Sequence, residues 1–114
     1  MTVTIYHNPR CSKSRATLAL LQERGIEPEI IHYLDTPPSA AELTRILGLL
    51  GKAPFELMRK GEDDYKQHFA GQSLSDADAV ELMLRYPKVI ERPIVVNGDR
   101  AAIGRPPEAV LEIL

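Results

Sequence analysis

Cys11 is the only cysteine of the chain, and it stands in the run His7-Asn8-Pro9-Arg10-Cys11-Ser12-Lys13-Ser14-Arg15. Residues 1–15 carry Arg10, Lys13 and Arg15 and no acid, which leaves 11 bases against 16 acids in the remainder. The one thiol therefore lies in the most electropositive stretch of a chain whose net charge is −2. At a strand-to-helix junction it would meet backbone N–H groups that lack partners in the first helical turn. The helix dipole adds positive potential there. Such a thiol is expected to ionise well below the free value of about 8.5 and to act as a nucleophile. The competing expectation is a buried, inert cysteine, since free cysteine is among the most buried residue types. The charge pattern and the helix start favour the reactive thiol.

The same features make an anion site, because helix-start amides together with arginines hold tetrahedral oxyanions. Ser12 and Ser14 are further donors, and one of them has a helix cap as its alternative role. Ser14, three residues after Cys11, falls on the sulfur's helical face and can donate to a thiolate. His7 ends the preceding strand and either tunes the thiolate or bonds the loop backbone. His32 and His68 have no motif around them and read as structural or surface residues. Arg59, Arg92 and Arg105 are by default solvated charges. Arg92 and Arg105 gain from position, since strand ends beside a helix start are where α/β sites assemble. Pro93 suits the first residue of a strand, and a cis Arg92–Pro93 peptide would bend the Arg92 backbone toward the cysteine loop.

Composition removes several classes. A single cysteine allows no internal disulfide and no cysteine-based zinc cluster, and no metal site is expected. Met1-Thr2-Val3-Thr4-Ile5-Tyr6 lacks the basic start of an export signal and reads as a strand that begins almost at once, so a reducing, cytoplasmic location is expected. There is no apolar run near the ~18 residues that a membrane span requires. The acidic balance argues against nucleic acid as a partner.

Elements must then position these groups. Val3–Tyr6 is expected as a buried strand, broken at Asn8-Pro9. A helix follows from Ser12 to Arg24, with Leu18 and Leu21 inward, Ala19 beside them, and Gly25 ending it in the left-handed region. Residues 28–33 read as a second strand, parallel to the first by the βαβ rule. Ser39 caps a helix with Glu42 in a capping box; its buried face is Leu43, Ile46, Leu47 and Leu50, and Gly51 stops it. Residues 54–85 stay helical but broken, with Pro54 at a first helical position, a short polar helix around Tyr65 and His68, and Ser75 opening another. Residues 93–96 are a third strand, Asn97-Gly98 a hairpin signal, and residues 100–103 its antiparallel partner. A final helix follows Gly104-Arg105-Pro106-Pro107, with Val110, Leu111, Ile113 and Leu114 inward. The expectation is one α/β domain over residues 1–114: a four-stranded mixed sheet flanked by helices, with a helical insert at about 39–86 between strands two and three.

Four segments in order carry a resemblance: the Cys11 run, Leu57-Met58-Arg59-Lys60, Glu91-Arg92-Pro93-Ile94-Val95-Val96 and Gly104-Arg105-Pro106-Pro107. Together with Tyr33-Leu34 and Pro37-Pro38 they resemble the glutaredoxin-linked arsenate reductase family, in its shorter subgroup, across essentially the whole chain. The resemblance implies a thioredoxin-like fold. It implies that Cys11 attacks arsenate to form a thiol–arsenate adduct, that Arg59, Arg92 and Arg105 hold the oxyanion, and that His7, Asn8, Ser14 and Arg15 support the site. No cofactor is bound in this scheme; glutathione is a co-substrate and glutaredoxin a partner. The loop departs from the family, with Ser12-Lys13-Ser14 where the pattern is Gly-Thr-Ser and Arg10 in place of a small residue. Two alternatives share the same residues. One is a glutathione-dependent thiol oxidoreductase acting on mixed disulfides. The other is a redox-sensing regulator that binds RNA polymerase, although such proteins carry Cys-x-x-Cys and here Ser14 holds the second position.

Overall fold

The computed structural model describes residues 2–114; Met1, at the head of the expected first strand, lies outside the described residues. The chain divides into two compact units, one formed by the segment ending at Thr36 together with Arg92–Leu114, the other by Pro37–Glu91. The first unit contains β1 (Val3–His7), α1 (Ser12–Glu23), β2 (Glu29–His32), β3 (Ile94–Asn97), β4 (Arg100–Ile103) and a closing 3-10 segment, Pro107–Ile113. Its four strands form one mixed sheet in the order β2-β1-β3-β4. β1 pairs in parallel with β2, and β3 runs antiparallel to both β1 and β4. This is the four-stranded mixed sheet expected from the sequence, in the thioredoxin-like arrangement that the family resemblance implies.

The β-branched residues of β1 alternate across the sheet. Val3 and Ile5 join Leu21, Val95, Val110 and Ile113 in one buried cluster, against which Leu18, Leu20 and Ile26 pack. α1 and the closing 3-10 segment thus cover one face of the sheet. The inward stripe of α1 is Ser14, Thr17 and Leu21, with Leu18 only half-buried and Ala19 exposed. The expected apolar pair was therefore partly displaced, because the two hydroxyl residues satisfy their own polar atoms: Thr17 Oγ1 donates to the Lys13 carbonyl at 2.8 Å. Gly25 ends the helix at φ 75°, a conformation that costs glycine little.

Two expectations at the C-terminal end are corrected. The hairpin pairs Asn97 with Arg100, so the two-residue loop is Gly98-Asp99, one residue later than the Asn-Gly signal. Gly98 takes a φ of 63° and Asp99 a negative one, the pattern of a turn with glycine in its first central position. The final segment is 3-10 rather than α. With three residues per turn it aligns Val110 and Ile113 inward, leaves Leu111 half-buried and exposes Leu114.

The second unit contains α2 (Ala40–Leu50), a 3-10 turn at Pro54–Leu57, α3 (Asp63–His68), α4 (Asp76–Arg85) and a 3-10 turn at Pro87–Val89. It extends past the expected end at 86 because that last turn and a Met58–Ile90 bridge belong to it. Leu43, Ile46, Leu47, Leu57, Phe69, Val80 and Met83 are buried, while Leu50 is half-buried. Gly51 closes α2 at φ 67°. Among the described residues no helix is long and apolar enough to cross a membrane.

Candidate active site

Cys11 is the N-cap residue of α1, with extended backbone angles of −96° and 124°. The loop before it is held by its own hydrogen bonds. The Cys11 amide donates to the Asn8 carbonyl at 3.0 Å, the Arg10 amide donates to Asn8 Oδ1 at 3.0 Å, and Arg15 Nη1 donates to the Pro9 carbonyl at 2.9 Å. An asparagine that accepts from the amide two residues on makes a local turn without help from the rest of the fold. The sulfur is thereby fixed over the first turn of α1.

The Cys11 side chain forms no regular cap hydrogen bond. Burial pushes its thiol up. The Ser14 amide, the charge and hydrogen bond of the Arg92 guanidinium, and the Lys13 amide together outweigh that effect, so the thiol lies below its ordinary range. The cation acting on the sulfur is thus Arg92, two residues before β3, rather than the neighbouring Arg10, Lys13 or Arg15 that the local charge pattern singled out. Arg15 instead pins the loop, and Arg10 is exposed.

Ser14 is fully buried and its hydroxyl serves the loop rather than the sulfur. Its Oγ accepts the Asn8 amide at 3.0 Å and lies 2.7 Å from His7 Nδ1. His7 is itself buried, and its pKa is lowered by that burial, then by His32 and Arg15. A neutral imidazole with a hydroxyl at Nδ1 is consistent with Ser14 O–H donating to the ring. His7 was expected to tune the thiolate or bond the loop backbone; its ring instead meets the Ser14 hydroxyl, which in turn accepts the Asn8 amide. His32, read as structural or surface, sits edge-on to His7 with ring centroids 5.9 Å apart.

Arg105 is exposed and donates from Nη1 to the Arg92 carbonyl at 3.1 Å. The Gly104 amide donates to the Pro93 carbonyl at 2.9 Å. The peptides Arg92–Pro93 and Arg105–Pro106 are both cis. Gly104 is needed for this approach: a Cβ there would come within 2.8 Å of Pro93 Cγ and would collide with the Thr17 side chain. Sequence reading passed over Thr17 and gave Gly104 no role of its own. Glycine directly before an arginine-proline pair is the signal that could have found the second; nothing local marks the first. The structure therefore brings Cys11, Arg92, Arg105, His7, Asn8, Ser14 and Arg15 into one compact unit. Arg59 belongs to the other unit, where it pairs with Glu62 and lies 3.8 Å from Glu91. Among the described residues no cluster of His, Cys, Asp and Glu is placed to hold a metal ion.

A thiol of lowered pKa at a helix start, with a guanidinium on its sulfur, can attack an electrophilic anion whose charge would otherwise repel it. Residues 6–113 match the ArsC family. The chain is 49% identical to an arsenate reductase of Haemophilus influenzae, each sequence being covered completely. It is 55% identical to the uncharacterized protein YfgD of Escherichia coli, over 98% of this chain and 96% of that one. A solved structure described as arsenate reductase from Vibrio cholerae superposes with a TM-score of 0.95 at 53% identity, covering 100% of this chain and 98% of that one.

Proposed function

This chain belongs to the ArsC family, and on that premise we propose that it reduces arsenate to arsenite through Cys11, with glutathione and glutaredoxin as the external reductants. The observation that carries the reading is the Cys11 thiol at the start of α1, its pKa lowered by two backbone amides and by Arg92. The Cys11 thiolate forms a sulfur–arsenic bond, and one arsenate oxygen leaves as water after taking up protons. Glutathione then attacks the Cys11 sulfur. The electron pair of the sulfur–arsenic bond stays on arsenic, which falls from the +5 to the +3 state and departs as arsenite. The resulting mixed disulfide is reduced by a thiol of glutaredoxin. The second thiol has to come from outside, because the chain holds no other cysteine and disulfide exchange needs one.

Arg92 has two roles in this scheme, lowering the thiol pKa and offsetting negative charge as it builds at arsenic. Arg105, tied to the Arg92 carbonyl, offers a further guanidinium to the oxyanion. Arg59 enters on the family resemblance alone. Purified protein supplied with glutathione and glutaredoxin is expected to convert arsenate to arsenite, and Cys11→Ser to fall to the uncatalysed background. Equal inertness of the two proteins would remove the assignment. Faster turnover of a glutathione mixed disulfide than of arsenate would move it to a thiol oxidoreductase.

A further inference from the structure

We propose that a cleft beside the Cys11 loop seats the zwitterionic head of the thiol co-substrate, the amino-acid end that carries one ammonium and one carboxylate. The cleft holds about 280 Å³ and lies where the parallel strands β1 and β2 end, between the loops that follow them. His7, Pro9 and Arg10 line one side, and His32 and Asp35 the other. A crevice at the carboxyl ends of adjacent parallel strands is where α/β sheets bind small ligands.

Charge selects the class of ligand. Arg10 and Asp35 are both exposed, and neither side chain is engaged in an ion pair or hydrogen bond with the described residues. A guanidinium and a carboxylate that face one cleft without pairing leave room for a group that bonds to both. A simple oxyanion would find Arg10 but be repelled by Asp35. A neutral thiol would find neither charge useful. An α-amino acid end offers a carboxylate to Arg10, in the forked geometry that guanidinium favours, and an ammonium to Asp35. His7 is buried and its pKa is lowered, so the cleft floor adds no competing positive charge at neutral pH. Opposite charges placed this way give specificity more than raw affinity.

Arg10 is the residue before Cys11, so a thiol co-substrate seated in the cleft lies beside the cysteine loop. Naming glutathione rests on the reduction proposed above; the charge match does not.

The experiment uses S-methylglutathione, which keeps both charges of the head and cannot form a disulfide. Titrated into the full chain and followed by amide chemical shifts, it is expected to move the signals of Arg10, His32 and Asp35 and to saturate. Arg10→Glu and Asp35→Lys, both at exposed positions, are each expected to weaken binding by about tenfold or more, the factor that ~1.4 kcal/mol sets. Arg10→Ala and Asp35→Ala should weaken it in the same direction by less. Equal binding by wild type and the variants, shifts confined to other residues, or no saturation at millimolar probe would each overturn the proposal. No arsenite is measured in this experiment. An inactive wild type would therefore remove the proposed reaction and leave the cleft standing, whereas unchanged binding in the variants would do the reverse.

Discussion

Ser39 and Ser75 begin α2 and α4 by accepting an amide three residues on, that of Glu42 at 3.1 Å and that of Asp78 at 3.2 Å. Their first turns also carry acids: Glu42 in α2, Asp76 and Asp78 in α4. Cys11 occupies the same position on α1, yet its side chain closes no cap bond and the first turn holds no acid. At α2 and α4 the orphan amides and the positive end of the dipole are satisfied by the chain itself. At α1 the same amides and the same dipole act on a sulfur and remain available to an anion. One local device, a helix start, thus serves stability in two places and is open to chemistry in the third. The difference lies in a few residue types.

After loss of Cys11 itself, the largest effect should come from removing the cation that acts on its sulfur. Arg92→Ala is expected to lower kcat for arsenate by about 10²–10³, the usual loss when one preorganised charge donor is removed from a reacting centre. Steady-state kinetics with saturating glutathione would check it, and a loss of only a few-fold would place the charge elsewhere. Next comes the packing that holds Arg92 and Arg105. Gly104→Ala should destabilise the protein by roughly 1–3 kcal/mol through overpacking against Thr17 and Pro93, read from urea unfolding. The smallest effects fall on the serine caps of α2 and α4. Ser39→Ala or Ser75→Ala should each cost about 1 kcal/mol of stability and leave Cys11 reactivity alone. Cys11→Ser, by contrast, supplies α1 with a true cap and should lose no stability while activity disappears. A Cys11→Ser protein less stable than wild type by more than about 1 kcal/mol would show that Cys11 is held for the fold.

Much of this contrast was legible in the sequence because it is local. Serine three residues before an acid marks a capped start, and a basic, acid-free run around a cysteine marks an uncapped one. Gly25 announced its left-handed turn, and Gly51 the end of α2, for the same reason. What was not legible depends on partners distant in sequence. The Arg92 guanidinium reaches the sulfur only because β3 pairs antiparallel with β1, and no local pattern distinguishes it from Arg10 or Lys13. The inward face of α1 was misread because Ser14 and Thr17 look polar until His7, Asn8 and the Lys13 carbonyl are placed beside them. The closing segment was expected as an α-helix because four apolar residues in five fit either period. Only packing on β4 and α1 selects the tighter turn.

The reaction proposed for this chain needs Cys11 as a thiolate-forming nucleophile, set up by helix amides and Arg92. Its most direct test is the rate of Cys11 alkylation by iodoacetamide against pH, in wild type and in Arg92→Ala. A lowered pKa means that the thiolate, the reactive form, appears at a lower pH than in an ordinary thiol. The wild-type midpoint should therefore fall below the ordinary thiol value of about 8.5, and Arg92→Ala should move it upward. A wild-type midpoint at or above that value, or one that Arg92→Ala leaves in place, would contradict this role of Cys11 and Arg92.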